Sequence, residues 1–322
     1  MQARPLRILT WHIHGSYLYY LMRTPHHFYL PVKADRTDGY GGRVGGRAWP
    51  ANLHELPAEA VRDQQLDCIL FQSRRNYEHD QYEILSEAQR RLPRVYLEHD
   101  PPREHPTDTR HPVDDPGILL VHVTQFNNLM WDSGRTPTCV VEHGVTIPDG
   151  VRYTGELPRG IVVINGLHWR GRRLGADLFQ RWRAHVPLDL VGMEADRLDG
   201  LGELPLEELP AFAARYRFFC NPIRYTSLGL AVCEAMMAGL PIIALATTEM
   251  VTVVENGVSG YVHTDEARLL ASMHALIADP ALACRLGQGA RRCAEERFNI
   301  ERFARDWSNV FALVTGRPRG AI

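Results

Sequence analysis

Lysine is almost missing from this chain: Lys33 is the only one among 36 basic residues, and the other 35 are arginine. A GC-rich codon bias accounts for most of this whatever the function. Its chemical consequence is that any anion site must use arginine or backbone amides. Net charge is missing too. The formal charge is −2, with 17 basic and 19 acidic groups in residues 1–152 and 19 of each in residues 153–322. That even spread excludes a general polycationic nucleic-acid binder. The six cysteines (Cys68, Cys139, Cys220, Cys233, Cys284, Cys293) form no C-x-x-C pair and no disulfide framework. Most sit among apolar neighbours, as buried free thiols do, and a reducing cytoplasm suits them. The first residues, MQARPLRILTWHIHG, lack the long apolar segment of a signal peptide. The longest apolar run, Leu228 to Ala246, contains Glu234, Gly239 and Pro241, which makes it a poor bilayer span. The expectation is a cytoplasmic protein without a transmembrane segment, with peripheral membrane contact left open. No repeat of 20–50 residues is visible.

What is present is an ordinary globular composition, 45% hydrophobic over 322 residues, enough for two domains. Short apolar runs alternate with amphipathic stretches. The runs Arg7–Trp11, Phe28–Pro31, Cys68–Gln72, Arg94–Glu98, Ile118–His122 and Thr138–Glu142 read as strands buried on both faces of a parallel sheet. Tyr82–Arg91 reads as a helix between two of them. Residues 144–160 are rich in turn formers and read as a linker. A second series follows: Ile161–Ile164, Leu188–Val191, Phe218–Asn221, Ile242–Ala244 and Gly260–His263, with a last helix over about Ile300–Val314. Two α/β domains with a cleft between them are the simplest account.

The most informative stretch runs from Asn221 to Ala244. A strand ends near Asn221, and a loop follows with Thr226 and Ser227, both good helix N-caps. A helix is predicted from about Leu228 to Gly239, a natural C-terminal glycine, with Pro241 beyond. Its N-terminus therefore lies at the carboxyl end of a parallel strand, where ligands bind in open α/β sheets. Amides around Ser227, Leu228, Gly229 and Leu230 can hold a diphosphate, aided by the helix dipole. Glu234 falls in an otherwise apolar helix and needs hydroxyl or cationic partners. Its structural alternative is a cap on a core hydrogen-bond network.

This stretch resembles the donor-site signature of retaining GT-B glycosyltransferases, above all glycosyltransferase family 4 (glycosyl transferases group 1). The family pattern is Glu-x-Phe-Gly-Leu, three residues, then Glu-Ala-Met-Ala-x-Gly-x-Pro. Gly229 and Leu230 match its Gly-Leu, and Glu234, Ala235, Met236, Gly239 and Pro241 match the second half. Thr226 stands where the family has its first Glu, which faces the donor sugar. The resemblance covers about Ile161 to Leu313. It implies a GT-B fold of two doubly wound, Rossmann-like α/β domains facing a central cleft. The implied domains are 1–152 on the acceptor side and 153–298 for the donor, with 299–322 as a helix returning to the first. It implies that Glu234 bonds the ribose hydroxyls of a nucleotide-sugar, UDP- or GDP-linked, and that no metal or further cofactor is needed. After the first strand of the second series, Asn165–Gly175 corresponds to a family loop whose cations grip the donor phosphates. Arg170-Gly171 resembles its Lys-Gly, so Arg170 is the first candidate, then Arg173 or Arg172. Six arginines and one acid lie between Arg159 and Arg183, a local surplus that looks like an anion site. In the first half, Gly15 matches the family's phosphate-touching loop. His99 matches its strand-end histidine near the reacting carbon. The glycine-rich stretch Tyr40–Trp49 lacks phosphate-loop spacing. It is assigned to the acceptor side, with Arg43, Arg47 or Trp49 as contacts. The implied partners are the donor and a glycan or glycolipid acceptor, and no nucleic acid. His12, His14 and His99 have a plainer reading as satisfied polar groups at strand ends.

Two rivals remain open. A nucleotide-sugar 2-epimerase, or an inactive sugar-nucleotide-binding relative, would use the same fold, and Thr226 keeps both in view. A metal-dependent hydrolase could be built on His12-x-His14, completed by His99, Asp100, His122 or His143. That reading explains nothing after Arg159.

Overall fold

The computed structural model describes residues 4–45 and 48–316. The chain divides into two compact units. Residues up to Gly144, together with those from Ile300 on, form the first, and Val145–Asn299 form the second.

The first unit contains β1 (Arg7–Thr10), α1 (Gly15–Leu21), β2 (His27–Val32), β3 (Leu53–Pro57), β4 (Cys68–Phe71), α2 (Gln81–Ile84), α3 (Glu87–Arg90), β5 (Arg94–Glu98), β6 (Ile118–His122), α4 (Gln125–Met130) and β7 (Thr138–Val140). The seven strands form one parallel sheet in the order β3-β2-β1-β4-β5-β6-β7. Every residue of β4 and β6 is buried, as continuous apolar runs in a sheet covered on both faces must be. The direction of winding reverses between β1 and β4, so the loops at the carboxyl ends of those strands flank an open crevice. Leu9, Trp11, Phe71, Tyr96 and Leu120 pack into one core, with Trp11 stacked on Phe71 at 5.8 Å.

Three departures from the sequence reading have local causes. Strand β3 was not expected. It is the edge strand, only Leu53 is buried while Glu55 and Pro57 are exposed, and Pro57 ends it, so it carries no apolar run. The helix expected over Tyr82–Arg91 is broken. A π-helical turn, Asn76–Asp80, runs into α2, and Ser86 then starts α3 through a reciprocal capping box with Gln89. The stretch 144–160 is not all linker, because β8 begins at Leu157.

The second unit contains β8 (Leu157–Val163), α5 (Leu167–Arg170), α6 (Ala176–Arg183), β9 (Leu188–Val191), α7 (Leu209–Ala213), β10 (Tyr216–Asn221), α8 (Leu230–Ala238), β11 (Ile242–Leu245), α9 (Met250–Val253), β12 (Gly260–His263), α10 (Glu266–Ala278) and α11 (Pro280–Arg297). Its parallel sheet has the order β12-β11-β10-β8-β9, which reverses between β8 and β10. Trp182, Phe179, Phe218 and Met273 centre its core. The last helix, α12 (Ile300–Thr315), belongs to the first unit. It buries Phe303, Trp307, Val310 and Phe311, and Trp307 Nε1 donates to the Tyr17 hydroxyl of α1 at 2.9 Å. No single helix among the described residues is long and apolar enough to cross a membrane.

Candidate active site

In the second unit the strand order places two loops at the topological switch point. One runs from Asn165 to Gly175 after β8, the other from Pro222 to Gly229 after β10. They are fastened to each other. The Arg173 carbonyl accepts from the amides of Arg224 (3.0 Å) and Tyr225 (3.3 Å). Gly175 has φ +85°, and a Cβ there would lie 2.1 Å from the Pro222 carbonyl oxygen, so only glycine lets the loops approach this closely.

Asp177 closes the clamp. Both its oxygens bind Arg224, at 2.6 and 2.8 Å, and one also takes Arg172 (2.9 Å) and Arg181 (3.1 Å). These arginines, Arg224 foremost, hold its carboxyl well below the usual carboxylate range. A carboxylate so depressed adds stability above its unfolded value and loses it as pH falls through the folded one. Asp177→Ala is therefore expected to lower the melting temperature by a few degrees. The gap from wild type should be constant between pH 5 and 8 and shrink below about pH 4. A gap that does not change on acidification would show that the clamp is not ionic.

The arginine surplus resolves residue by residue. Arg159 pairs with Asp189, Arg172 and Arg181 with Asp177, Arg181 also with Glu266, and Arg183 with Asp199. Acids outside the window thus reach three of the six, Arg159, Arg181 and Arg183, which counting charge along the chain could not anticipate. Arg170 is the last residue of α5 and lies 5.9 Å from the Trp169 ring centroid, while the Arg173 guanidinium reaches the Tyr225 carbonyl at 3.5 Å.

Helix α8 starts later than expected, at Leu230, and its N-cap is Gly229, with no side-chain cap. Thr226 and Ser227 do not cap it. The Ser227 hydroxyl is buried and has no hydrogen-bond partner among the described residues. The Val232 amide bonds the Gly229 carbonyl at 3.0 Å, and the amides of Leu230 and Ala231 before it receive no capping side chain from Gly229, an arrangement an anion satisfies. Gly239 ends the helix in the left-handed region at φ +90°. Val232, Cys233, Ala235, Met236 and Ala238 are buried, whereas Leu230, Ala231, Glu234 and Met237 retain exposure. Those four recur at helical spacing, so Glu234 lies on the accessible stripe, one turn beyond the open N-terminus. Leu228 is buried just before it.

In the first unit, Gly15 opens α1 and a Cβ there would meet His12 Nε2 at 2.8 Å. His12 fastens the glycine-rich loop: its Nδ1 bonds the Gly42 carbonyl at 2.6 Å. The Arg43 guanidinium is spent on the Leu53 carbonyl, and Trp49 Nε1 donates to the Val44 carbonyl at 3.2 Å. Arg47 lies outside the described residues. His14 sits against His99, ring centroids 4.1 Å apart, and His99 meets Tyr17 edge-on at 4.9 Å. Burial, then the neighbouring His14 and His143, push the His99 imidazole well below its ordinary value, so it is neutral at physiological pH. No cluster of three or more His, Cys, Asp or Glu suited to a metal occurs among the described residues. Sequence reasoning missed Gln72, whose side chain holds His99 at 3.1 Å. A glutamine at a strand end carries no motif by which to find it.

Two doubly wound parallel sheets in one chain, with a switch-point loop pair and an uncapped helix, define a protein of the GT-B fold. Solved structures carry the same fold over the whole chain. Sucrose-phosphate synthase from Thermosynechococcus elongatus superposes with a TM-score of 0.70 at 14% identity, covering 97% of this chain and 100% of that one. HepE of Anabaena, in complex with UDP and glucose, gives a TM-score of 0.67 at 15% identity over 95% and 99%. Residues 175–279, within the second unit, match the family model described as glycosyl transferases group 1. A lipopolysaccharide core biosynthesis mannosyltransferase of Rhizobium leguminosarum bv. viciae is 28% identical over 224 residues. The matched stretch is 58% of this chain and spans 62% of that relative's length.

Proposed function

We propose that this chain is a glycosyltransferase that moves a sugar from a nucleotide-diphosphate donor to an acceptor hydroxyl, with retention at the anomeric carbon, in polysaccharide or glycoconjugate synthesis. The observation that carries the reading is the α8 N-terminus: uncapped amides at a switch point, with Glu234 on the accessible stripe behind them. A diphosphate satisfies the amides, and Glu234 accepts from the ribose hydroxyls. Ser227 supplies a further hydroxyl. Arg170 and Arg173 stabilise the charge that builds on the diphosphate as it leaves, work that needs no resident metal in this reading. The bond from the anomeric carbon to the phosphate oxygen breaks while the acceptor oxygen bonds the same face. The departing phosphate takes the acceptor proton. In the first unit, His99 is assigned in this reading to a sugar hydroxyl and Gly15 to a phosphate.

The donor is UDP- or GDP-linked. A structural neighbour solved with UDP and glucose supports the first of these chemistries. The acceptor is a glycan or glycolipid. Thr226 favours a second reading, in which the protein binds the donor without transferring it, because a neutral hydroxyl replaces the carboxylate that faces the sugar in the resembling enzymes.

A thermal-shift screen against uridine, guanosine, adenosine and thymidine diphosphates and their sugars tests both. A ligand at 100 times its Kd adds about 2.7 kcal/mol of apparent stability. One base is expected to stand out, with nucleoside diphosphate released only when acceptor is present. No shift with any of them would overturn the donor site. A shift without release across an acceptor panel would favour the binding-only reading.

A further inference from the structure

The side chain of Gln72 follows β4 at the switch point of the first sheet and is buried, with 4% of its surface exposed. Its orientation is fixed by chemistry. The amide nitrogen donates to the Trp11 carbonyl at 2.9 Å and to Thr10 Oγ1 at 2.8 Å. A carbonyl only accepts, so the amide cannot be flipped without setting two oxygens against each other in a buried site. The remaining oxygen, Oε1, faces His99 Nε2 at 3.1 Å and can only accept. Nε2 must therefore carry the hydrogen.

We infer that Gln72 is a positioning residue that locks His99 in the Nε2–H tautomer, so that Nδ1 presents a lone pair and accepts a hydrogen bond from a hydroxyl of the bound sugar. The tautomer of a histidine is set by the bond its other nitrogen makes. His14, Tyr17 and His143 surround the ring, and the two histidines oppose a second proton on it. A neutral imidazole with a fixed acceptor distinguishes a hydroxyl, which can donate, from an ether or deoxy position, which cannot. The tautomer itself follows from geometry inside the first unit. Its use on a sugar rests on the transferase reading.

Nitrogen-15 NMR of the full chain, labelled at histidine, tests the assignment, with His99→Asn identifying the His99 signals. The expected result is a pyrrole-type Nε2 and a pyridine-type Nδ1. Gln72→Met removes the acceptor and should let the two tautomers mix, with kcat down about tenfold and the KM for acceptor little changed. Wild-type Nδ1–H, or an unchanged tautomer in folded Gln72→Met, would overturn the inference. The NMR measurement needs no turnover, so it fails separately from the transferase reading. A His99→Ala enzyme with unchanged kcat would remove His99 from the donor sugar, and with it the proposed use of Nδ1.

Discussion

Glu234→Ala is expected to weaken nucleoside diphosphate binding about 100-fold while leaving the melting temperature nearly unchanged. The two halves of that expectation have different origins. Glu234 lies on the stripe of α8 that retains exposure, among Leu230, Ala231 and Met237, not on the buried face of Val232, Cys233 and Met236. Alanine there opens no core cavity and favours helix. The affinity term comes from two charge-assisted hydrogen bonds to adjacent ribose hydroxyls, each about 1.5 kcal/mol. Together, at about 3 kcal/mol, they cover the roughly 2.8 kcal/mol that a hundredfold change in Kd requires. Glu234→Gln keeps acceptor oxygen but loses charge, and should fall between. Calorimetry with a 2′,3′-dideoxy nucleoside diphosphate sharpens the test, since deleting the hydroxyls should make wild type and Glu234→Ala converge. Equal affinity of the two proteins for the ordinary nucleotide would remove Glu234 from the ribose.

The α/β class and most strands could be read from the sequence because buried parallel strands are continuous apolar runs. β5, β6, β9 and β12 have the ends that their side chains predict. β3 escaped because an edge strand need be apolar on only one face. The motif Gly229-Leu230…Glu234 could be read because helix start, open stripe and C-terminal glycine all act within one element. What could not be read was everything set by contacts across the sheet. Thr226 and Ser227 have the chemistry of N-caps, yet the backbone reaches helical geometry only after Gly229, and their hydroxyls are left for other uses. The arginine surplus looked local because Asp189, Asp199 and Glu266, which absorb much of it, lie in other elements. Gln72 and His99, 27 residues apart, meet only because β4 and β5 are neighbours.

Arg170→Ala is expected to lower kcat by about 100-fold and to weaken binding of the nucleoside diphosphate by less, because a donor aimed at charge that develops during bond breaking acts mainly in the transition state. The neighbouring arginines make this a test of position and not of net charge. Arg172→Ala removes the same charge two residues away. Its guanidinium already serves Asp177, however, so that substitution should cost stability more than turnover. Arg173→Ala belongs with Arg170→Ala if the phosphate lies between the two loops, since the Arg173 side chain reaches the Tyr225 carbonyl of the loop after β10. Arg170→Lys restores charge without a planar fork, and recovery of only part of the rate would identify a bidentate contact. Were Arg172→Ala to carry the loss instead, the phosphate would lie toward Asp177. The clamp would then open to admit it, and turnover in Asp177→Ala would rise where a purely structural clamp predicts a fall. In a chain with one lysine, the comparison has a further use. Arginine at position 170 cannot be credited to codon bias alone if lysine there fails to do its work.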